Sequence, residues 1–351
     1  MFSPVAQLLE QAVRQQAFPA AVVEVGDAMR PLWSGAFGRL SYDPGAPAAA
    51  PDTVFDLASL TKVLATAAFA MQQVERGVLG LDDRVGEHVA AWEGADRAHV
   101  TIRDLLSHTG GLTEYVPFYR DYSGRAEFER AICSVPLEYE PRTKSVYSDL
   151  GFMLLGFILE RDVPLAARFD ALRLQMGLSE DLQFHPPAPW MPRTAPTEID
   201  PWRGRLLVGE VHDENAAALG GAAGHAGLFG TAAATGQYAR HLLQILDGKA
   251  GVVQRSTLET FIARRTGIPG SSRALGWDTM LPTSSCGSGM SPRAFGHTGF
   301  TGTTLWIDPD RRVYTVLLTN RVHPSRTNEA IKLIRPAVHD AVMRELGSAS
   351  R

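Results

Sequence analysis

Cysteine is scarce in this chain: only Cys133 and Cys286 among 351 residues. They stand far apart and outside any metal-type spacing, which argues against a disulfide framework or a thiolate cluster and leaves two reduced structural thiols. Long apolar runs are missing as well, and no stretch reaches the ~18 consecutive apolar residues of a membrane span. Neither sign of charge dominates. A formal net charge of -4 leaves no basic footprint for nucleic acid and no acidic tail. The opening MFSPVAQLLEQAVRQQAF lacks the basic region, apolar block and cleavage site of a secretory signal and reads as an amphipathic helix. A cytoplasmic protein without a nucleic-acid or membrane partner is expected.

What is present is the composition of a globular protein, 45% hydrophobic and 21% charged. Its length exceeds the ~250–300 residues that one core usually serves, so two lobes are expected. AAVVEVG (20–26) and PLWSGAFG (31–38) read as consecutive strands. ALGWDTM (274–280), GTTLWID (302–308) and RVYTVLLTN (312–320) read as strands near the other end, before a helix over roughly 326–346. Between them the pattern is mostly helical and interrupted by long loops. The expected class is α/β (α+β): an antiparallel sheet built from the N- and C-terminal segments and flanked by helices, carrying an inserted helical lobe. Residues 1–80 and 218–351 form the α/β sheet lobe in this reading, residues 81–217 form the mostly helical lobe, and a cleft between them holds the site.

The stretch FDLASLTKVLATAAFAMQQVERG (55–77) breaks local rules. A helix apolar nearly all round belongs in a core, yet Lys62 stands in its first turn, where a cation opposes the macrodipole. Ser59 could be a plain N-cap, but a capping box wants Glu or Gln three residues on. Ser59 and Lys62 share one helix face. A serine hydroxyl is a weak nucleophile until a base takes its proton, and a desolvated lysine can supply that base. Ser-x-x-Lys at a helix start is a known nucleophile motif.

Two further stretches join it: EPRTKSVYSDLGF places Tyr147 and Asp149 before a second apolar helix (148–162), and RAFGHTGFTG places His297, Thr298 and Gly299 at a C-terminal strand. With SLTK (59–62), YSD (147–149) and HTG (297–299) in this order, the chain resembles the serine β-lactamases and penicillin-binding proteins, in their class C lactamase, D,D-peptidase and esterase-like branch. Members carry Ser-x-x-Lys, Tyr-x-Asn and Lys-Thr-Gly; FDLASLTK, LLSHTGGL and GHAGLFGTA are further similar stretches. The resemblance implies Ser59 as nucleophile of an acyl-enzyme, with Lys62 and Tyr147 sharing its proton. It also implies an oxyanion hole from the backbone N–H groups of Ser59 and Phe300, and substrate lying along the strand of Thr298 and Gly299. No cofactor is implied.

Three departures bear on the substrate. Asp149 stands where the family usually has Asn, and a carboxylate there would keep Lys62 protonated and shift the role of base to Tyr147, aided by the Lys62 charge. His297 stands where the family has Lys, so a fixed cation for a substrate carboxylate is lost; at an ordinary pKa of ~6.5 it would regain charge as pH falls toward 6. Aligned on the class C pattern, Tyr115 takes the place of an amide side chain that contacts the lactam. A serine hydrolase of small esters or amides is therefore expected, with β-lactamase or D,D-peptidase activity as the alternative. A non-catalytic ligand-binding protein on the same fold is the rival of another class.

Other features have structural readings. His108 ends a helix, where a cation suits the dipole. His212, Asp213 and Glu214 lack a His-Glu-x-x-His pattern, and Asp213 reads as an N-cap, so no metal is expected. The glycines at 220, 221, 224 and 227 precede no Gly-Lys-Ser/Thr, which favours close backbone approach over phosphate binding. The proline-rich loop 185–204, with Trp190 and Trp202, reads as a packed wall.

Overall fold

The valines of AAVVEVGD pack both faces of one central strand. Val22 enters the core on one side and Val23 and Val25 the core on the other, as a period of two requires. The structure, a computed structural model, describes residues 2–161 and 163–349. Its strands are β1 (Ala20–Asp27), β2 (Pro31–Gly38), β3 (Phe55–Asp56), β4 (Leu182–Phe184), β5 (Ile199–Asp200), β6 (Arg205–Leu206), β7 (Leu228–Gly230), β8 (Asp278–Thr279), β9 (Phe295–Thr298), β10 (Thr304–Asp308) and β11 (Val313–Thr319). The main sheet runs β2-β1-β11-β10-β9-β8, antiparallel at every step. The two ends of the chain thus build one sheet, and the protein is of the expected α+β class.

The helices are α1 (Ser3–Arg14), α2 (Ala67–Glu75), α3 (Ile102–Leu106), α4 (Gly124–Ser134), α5 (Asp149–Glu160), α6 (Leu165–Met176), α7 (Glu214–Ala218), α8 (Ala232–Leu246), α9 (Arg255–Ile262) and α10 (Ile331–Ala349). α1 and α10 cover one sheet face through Val5, Leu9, Val338 and Val342. α8 covers the other, where Tyr238 and Leu242 pack with Val22, Leu305 and Val316. Each fully buried aliphatic side chain of this kind contributes ~1.5–3 kcal/mol. No helix among the described residues is long and apolar enough to cross a membrane.

Two local outcomes differ from the sequence reading, at residues 274–280 and at the start of the last helix. Residues 274–280 pair as a strand only at Asp278–Thr279, because Gly276 turns to a φ of 86°. The last helix starts at Ile331 rather than near 326, since Arg326 is drawn aside to Glu198 and Glu214. The segment 81–217 also holds strands, and β4 pairs with β7, which pairs with β3. The glycines beside them allow it. A Cβ on Gly230 would meet Leu182 Cδ1 at 2.7 Å, and one on Gly224 would meet Phe152 O of α5 at 2.1 Å. Residue 162, where the second apolar helix was expected to end, lies outside the described residues.

Candidate active site

Leaving β3, the chain turns at Ala58, whose φ of 47° is left-handed and disfavoured for a residue with a Cβ. Buried Asp56 holds that turn by accepting the N–H groups of Ala58 at 2.8 Å and His212 at 2.6 Å. Ser59 follows inside a 3₁₀ turn and caps no helix. The regular helix start expected from the sequence is replaced by that turn and a π-helical one at Lys62–Thr66, before α2 begins. Wide turns of this kind concentrate at functional sites.

Lys62 has no exposed side-chain surface. Its ammonium donates to Ser59 Oγ at 2.9 Å and to the His225 carbonyl at 3.1 Å, and lies 2.7 Å from Asp149 Oδ1. Two hydrogen-bond acceptors and a carboxylate oxygen at ion-pair distance describe a protonated lysine. Burial opposes the charge, but Asp149 and then Tyr147 outweigh it and push its pKa above the ordinary value. Asp149 opens α5, where the helix dipole favours a carboxylate.

Tyr147 is within hydrogen-bonding reach of both Lys62 and Ser59. Burial raises its pKa more than the Lys62 charge lowers it, so it rests as a neutral phenol. This corrects the expectation that Lys62 would make it a ready base: desolvation of the phenolate is the larger effect. His108 backs its ring at 4.7 Å between centroids. His108 Nδ1 accepts the Ser148 N–H at 3.0 Å. Burial, with Arg273 and Lys62 nearby, pushes its pKa well down, so His108 is a neutral support for the Tyr147 segment, not the helix-end cation expected.

His297 Nδ1 donates to the Thr298 carbonyl at 2.7 Å, which leaves Nε2 as a lone-pair acceptor. Burial, then Arg273 and Lys62, hold its pKa well below the ordinary histidine value. The expectation that it gains a proton near pH 6 is overturned for that reason. The cation missing at 297 is present elsewhere. Arg273, in a segment that carried no motif, lies 5.1 Å over the Tyr147 ring and forms no ion pair among the described residues.

A cavity of about 830 Å³ opens above these groups, bordered by Ser59, Tyr115, Tyr147, Asp149, His297, Thr298, Gly299 and Phe300. The structure thus brings every site residue named from the sequence to one cleft, with Lys62 beneath its floor. Tyr115 and Phe300 are partly exposed at its mouth. Neither the Ser59 nor the Phe300 N–H is used by an acceptor among the described residues. Gly299 is required here, because a Cβ would meet Thr303 Oγ1 at 2.1 Å and Leu57 O at 2.5 Å. Sequence reasoning missed Arg273 and Arg335, and gave Asp213 and His225 no joint role. His225 Nε2 meets Asp213 Oδ1 at 2.8 Å while its own carbonyl faces Lys62. Asp213 also caps α7, as its position suggested. His212 is paired with Glu198 at 2.9 Å. From the proline-rich loop, Trp202 packs edge-on to Tyr119, which borders the cleft.

A family model described as Beta-lactamase matches residues 5–339. An Escherichia coli (strain K12) protein, provisionally described as a D-alanyl-D-alanine carboxypeptidase, is 34% identical over 311 residues, 77% of this chain and 70% of that protein. The N-acetylmuramyl-L-alanine amidase of Bacillus subtilis (strain 168) is 32% identical over 363 residues, 90% of this chain and 80% of the amidase. Two solved structures share the fold. One is EstCE1, a hydrolase with promiscuous acyltransferase activity, at TM-score 0.74 and 22% identity over 95% of this chain and 97% of that one. The other is a class C β-lactamase from Rhodobacter sphaeroides, at TM-score 0.75 and 19% identity over 97% and 99%.

Proposed function

The chain belongs to the Beta-lactamase family, and we propose that, as a serine hydrolase of that family, it cleaves esters and amides through an acyl-enzyme on Ser59. The observation that carries this reading is the buried row Ser59 Oγ–Lys62 Nζ–Asp149 Oδ1, at 2.9 and 2.7 Å, under two backbone N–H groups without acceptors. Ser59 Oγ attacks the substrate carbonyl carbon. Lys62 first yields a proton to Asp149, and the resulting amine, turning its lone pair toward Ser59 Oγ, takes the serine proton, so the ammonium is restored and the carboxylate ends protonated. The Ser59 and Phe300 N–H groups receive the oxyanion, commonly the largest single catalytic contribution. Tyr147, resting as a phenol, protonates the leaving group as the carbonyl re-forms. Asp149 returns its proton through Lys62 to Tyr147. Water then releases the acyl group by the same steps, with Ser59 Oγ as leaving group. These roles favour an enzyme over a binding protein on the same fold.

Two substrate readings have separate supports. Small neutral esters suit a cleft whose third motif carries a neutral His297 in place of a cation and whose floor carries Asp149; neither attracts an anion. The unpaired Arg273 supports the second reading, amides or lactams with a carboxylate near the scissile bond. The carboxypeptidase and amidase descriptions of the relatives point to amide bonds as well. The test is intact-protein mass after exposure to a p-nitrophenyl ester, a penicillin and an acyl-D-Ala-D-Ala peptide, with turnover measured for each. One acyl adduct on Ser59, absent in Ser59→Ala together with turnover, is expected. Equal hydrolysis by Ser59→Ala would refute the mechanism, and the ranking of kcat/KM decides between the substrate readings.

A further inference from the structure

Arg335, on α10, borders the cleft behind the third motif. Its Nη2 donates to the carbonyls of Gly299 at 2.5 Å and Thr303 at 3.0 Å. No carboxylate pairs with it among the described residues. Burial, with Arg321 adding repulsion, pulls its pKa down to about 9. A half-buried cation whose partners among the described residues are carbonyls rather than a carboxylate is costly, and its position suggests what it does. The Gly299 carbonyl belongs to the peptide group whose N–H is that of Phe300. The same oxygen also accepts the Gly302 N–H at 3.1 Å. The peptide is therefore loaded at its acceptor end by two donors, one of them charged, while its own N–H stays free at the cleft. Hydrogen bonds in series polarise one another, by ~10–30% per bond.

Arg321 provides the contrast. Its Nε donates to the Phe300 carbonyl at 2.7 Å, one peptide further on, where the N–H is that of Thr301. It fixes the same loop without loading the peptide that faces the reaction. Arg335 reaches both carbonyls through Nη2 at the end of a side chain one atom longer than lysine's, so a lysine ammonium falls short of the same two contacts.

We infer that Arg335 is a positioning residue for acyl transfer: through the Gly299 carbonyl it fixes and polarises the Phe300 N–H that receives the oxyanion. The inference rests on the reading of Ser59 and Phe300 given above. It is tested on the full chain with Arg335→Met, Arg335→Lys and Arg321→Met. The acyl-enzyme is made with a ¹³C=O-labelled p-nitrophenyl ester, and the ester carbonyl stretch is read by infrared difference beside kcat, KM and the thermal midpoint. Deleting an oxyanion donor outright costs ~10²–10³ in kcat; weakening one should cost about tenfold to a hundredfold in Arg335→Met, with KM within about threefold. The carbonyl band should move to higher wavenumber in Arg335→Met, less far in Arg335→Lys, and stay in place in Arg321→Met. An unmoved band in folded Arg335→Met overturns the inference, as does an equal shift in Arg321→Met. If Arg335→Met does not fold, Arg335→Lys decides, and a band at the parent position overturns it. A parent that forms no Ser59 adduct would bring down the underlying function and this inference with it. An adduct with an unmoved band refutes Arg335 alone.

Discussion

Replacing Asp149 by Asn removes one negative charge and leaves the shape of the site intact. At 2.7 Å from the Lys62 nitrogen, and with an effective dielectric of about 20, the lost attraction is ~6 kcal/mol. Water reaches the 17% of the Asp149 side chain that is exposed, and Asn keeps one oxygen, so the low end of the range for breaking a buried pair, ~3 kcal/mol, is the expected loss of stability at pH 7. The sign with pH follows from Lys62. In the parent its pKa is raised, so its contribution is fully present below the unfolded value of 10.5 and is lost only as pH rises through the still higher folded value. In Asp149→Asn desolvation dominates and the folded pKa falls below 10.5. The variant should then recover stability as pH rises and Lys62 sheds its proton, while the parent should not. Rate should follow the same logic. Without a carboxylate to take the relayed proton, acylation at pH 7 should drop ~10²-fold, the low end of the contribution of a general base. It should then climb with pH as free amine accumulates. Single-turnover acylation by a p-nitrophenyl ester across pH 6–10, beside urea denaturation at pH 7 and pH 9, checks both. A variant that acylates at the parent rate at pH 7, or whose stability deficit does not shrink with pH, would refute Asp149 as the proton's destination.

Three further outcomes are expected. Tyr147→Phe keeps the ring against His108 and loses the proton carrier, so the thermal midpoint should hold while kcat falls ~10²–10⁴-fold; turnover within a factor of two of the parent would mean another group protonates the leaving atom. Arg273→Gln should raise KM for carboxylate-bearing substrates about tenfold to a hundredfold, the value of one charge-assisted hydrogen bond, and change neutral-ester kinetics far less; equal effects on both substrate types would remove Arg273 as an anchor. The His297 imidazole should show no protonation step between pH 8 and pH 5 when followed by NMR, and hydrolysis of a carboxylate-bearing substrate should not rise toward pH 6; a titration midpoint near 6 would contradict its burial beside Arg273 and Lys62.

The three motifs were legible because each is short and its chemistry breaks a local rule: a cation in the first turn of an apolar helix, a tyrosine and a carboxylate at the mouth of another. The sheet was legible because runs such as AAVVEVG read as strands at both ends of the chain, and any strand sends adjacent side chains such as Val22 and Val23 to opposite faces. What the sequence could not supply is everything set by distant contacts. One acceptor of Lys62 is a backbone carbonyl 163 positions away, and no residue type announces a carbonyl. Arg273 stands in a loop of serines and glycines with no pattern, and only the folding of β8 beside β9 brings it to His297. The left-handed Ala58 looks like any alanine until Asp56 pins the turn.

Protonation states were the least legible, since they depend on how burial and neighbouring charge balance. Sequence alone suggested that the Lys62 charge would make Tyr147 a base and that an ordinary pKa would make His297 a switch near pH 6. Burial reverses both, because removing water costs the phenolate and the imidazolium more than one neighbour returns. Lys62 escapes the same fate only because a carboxylate stands at 149. With asparagine there, desolvation would have no full charge against it, and the amine would be the natural base. With aspartate, the ammonium is locked in place, and in the mechanism proposed above the proton travels through it. On that proposal, an oxygen in place of a nitrogen at Asp149 reassigns which group starts the reaction, although the proposed nucleophile, the fold and the cleft stay as they are.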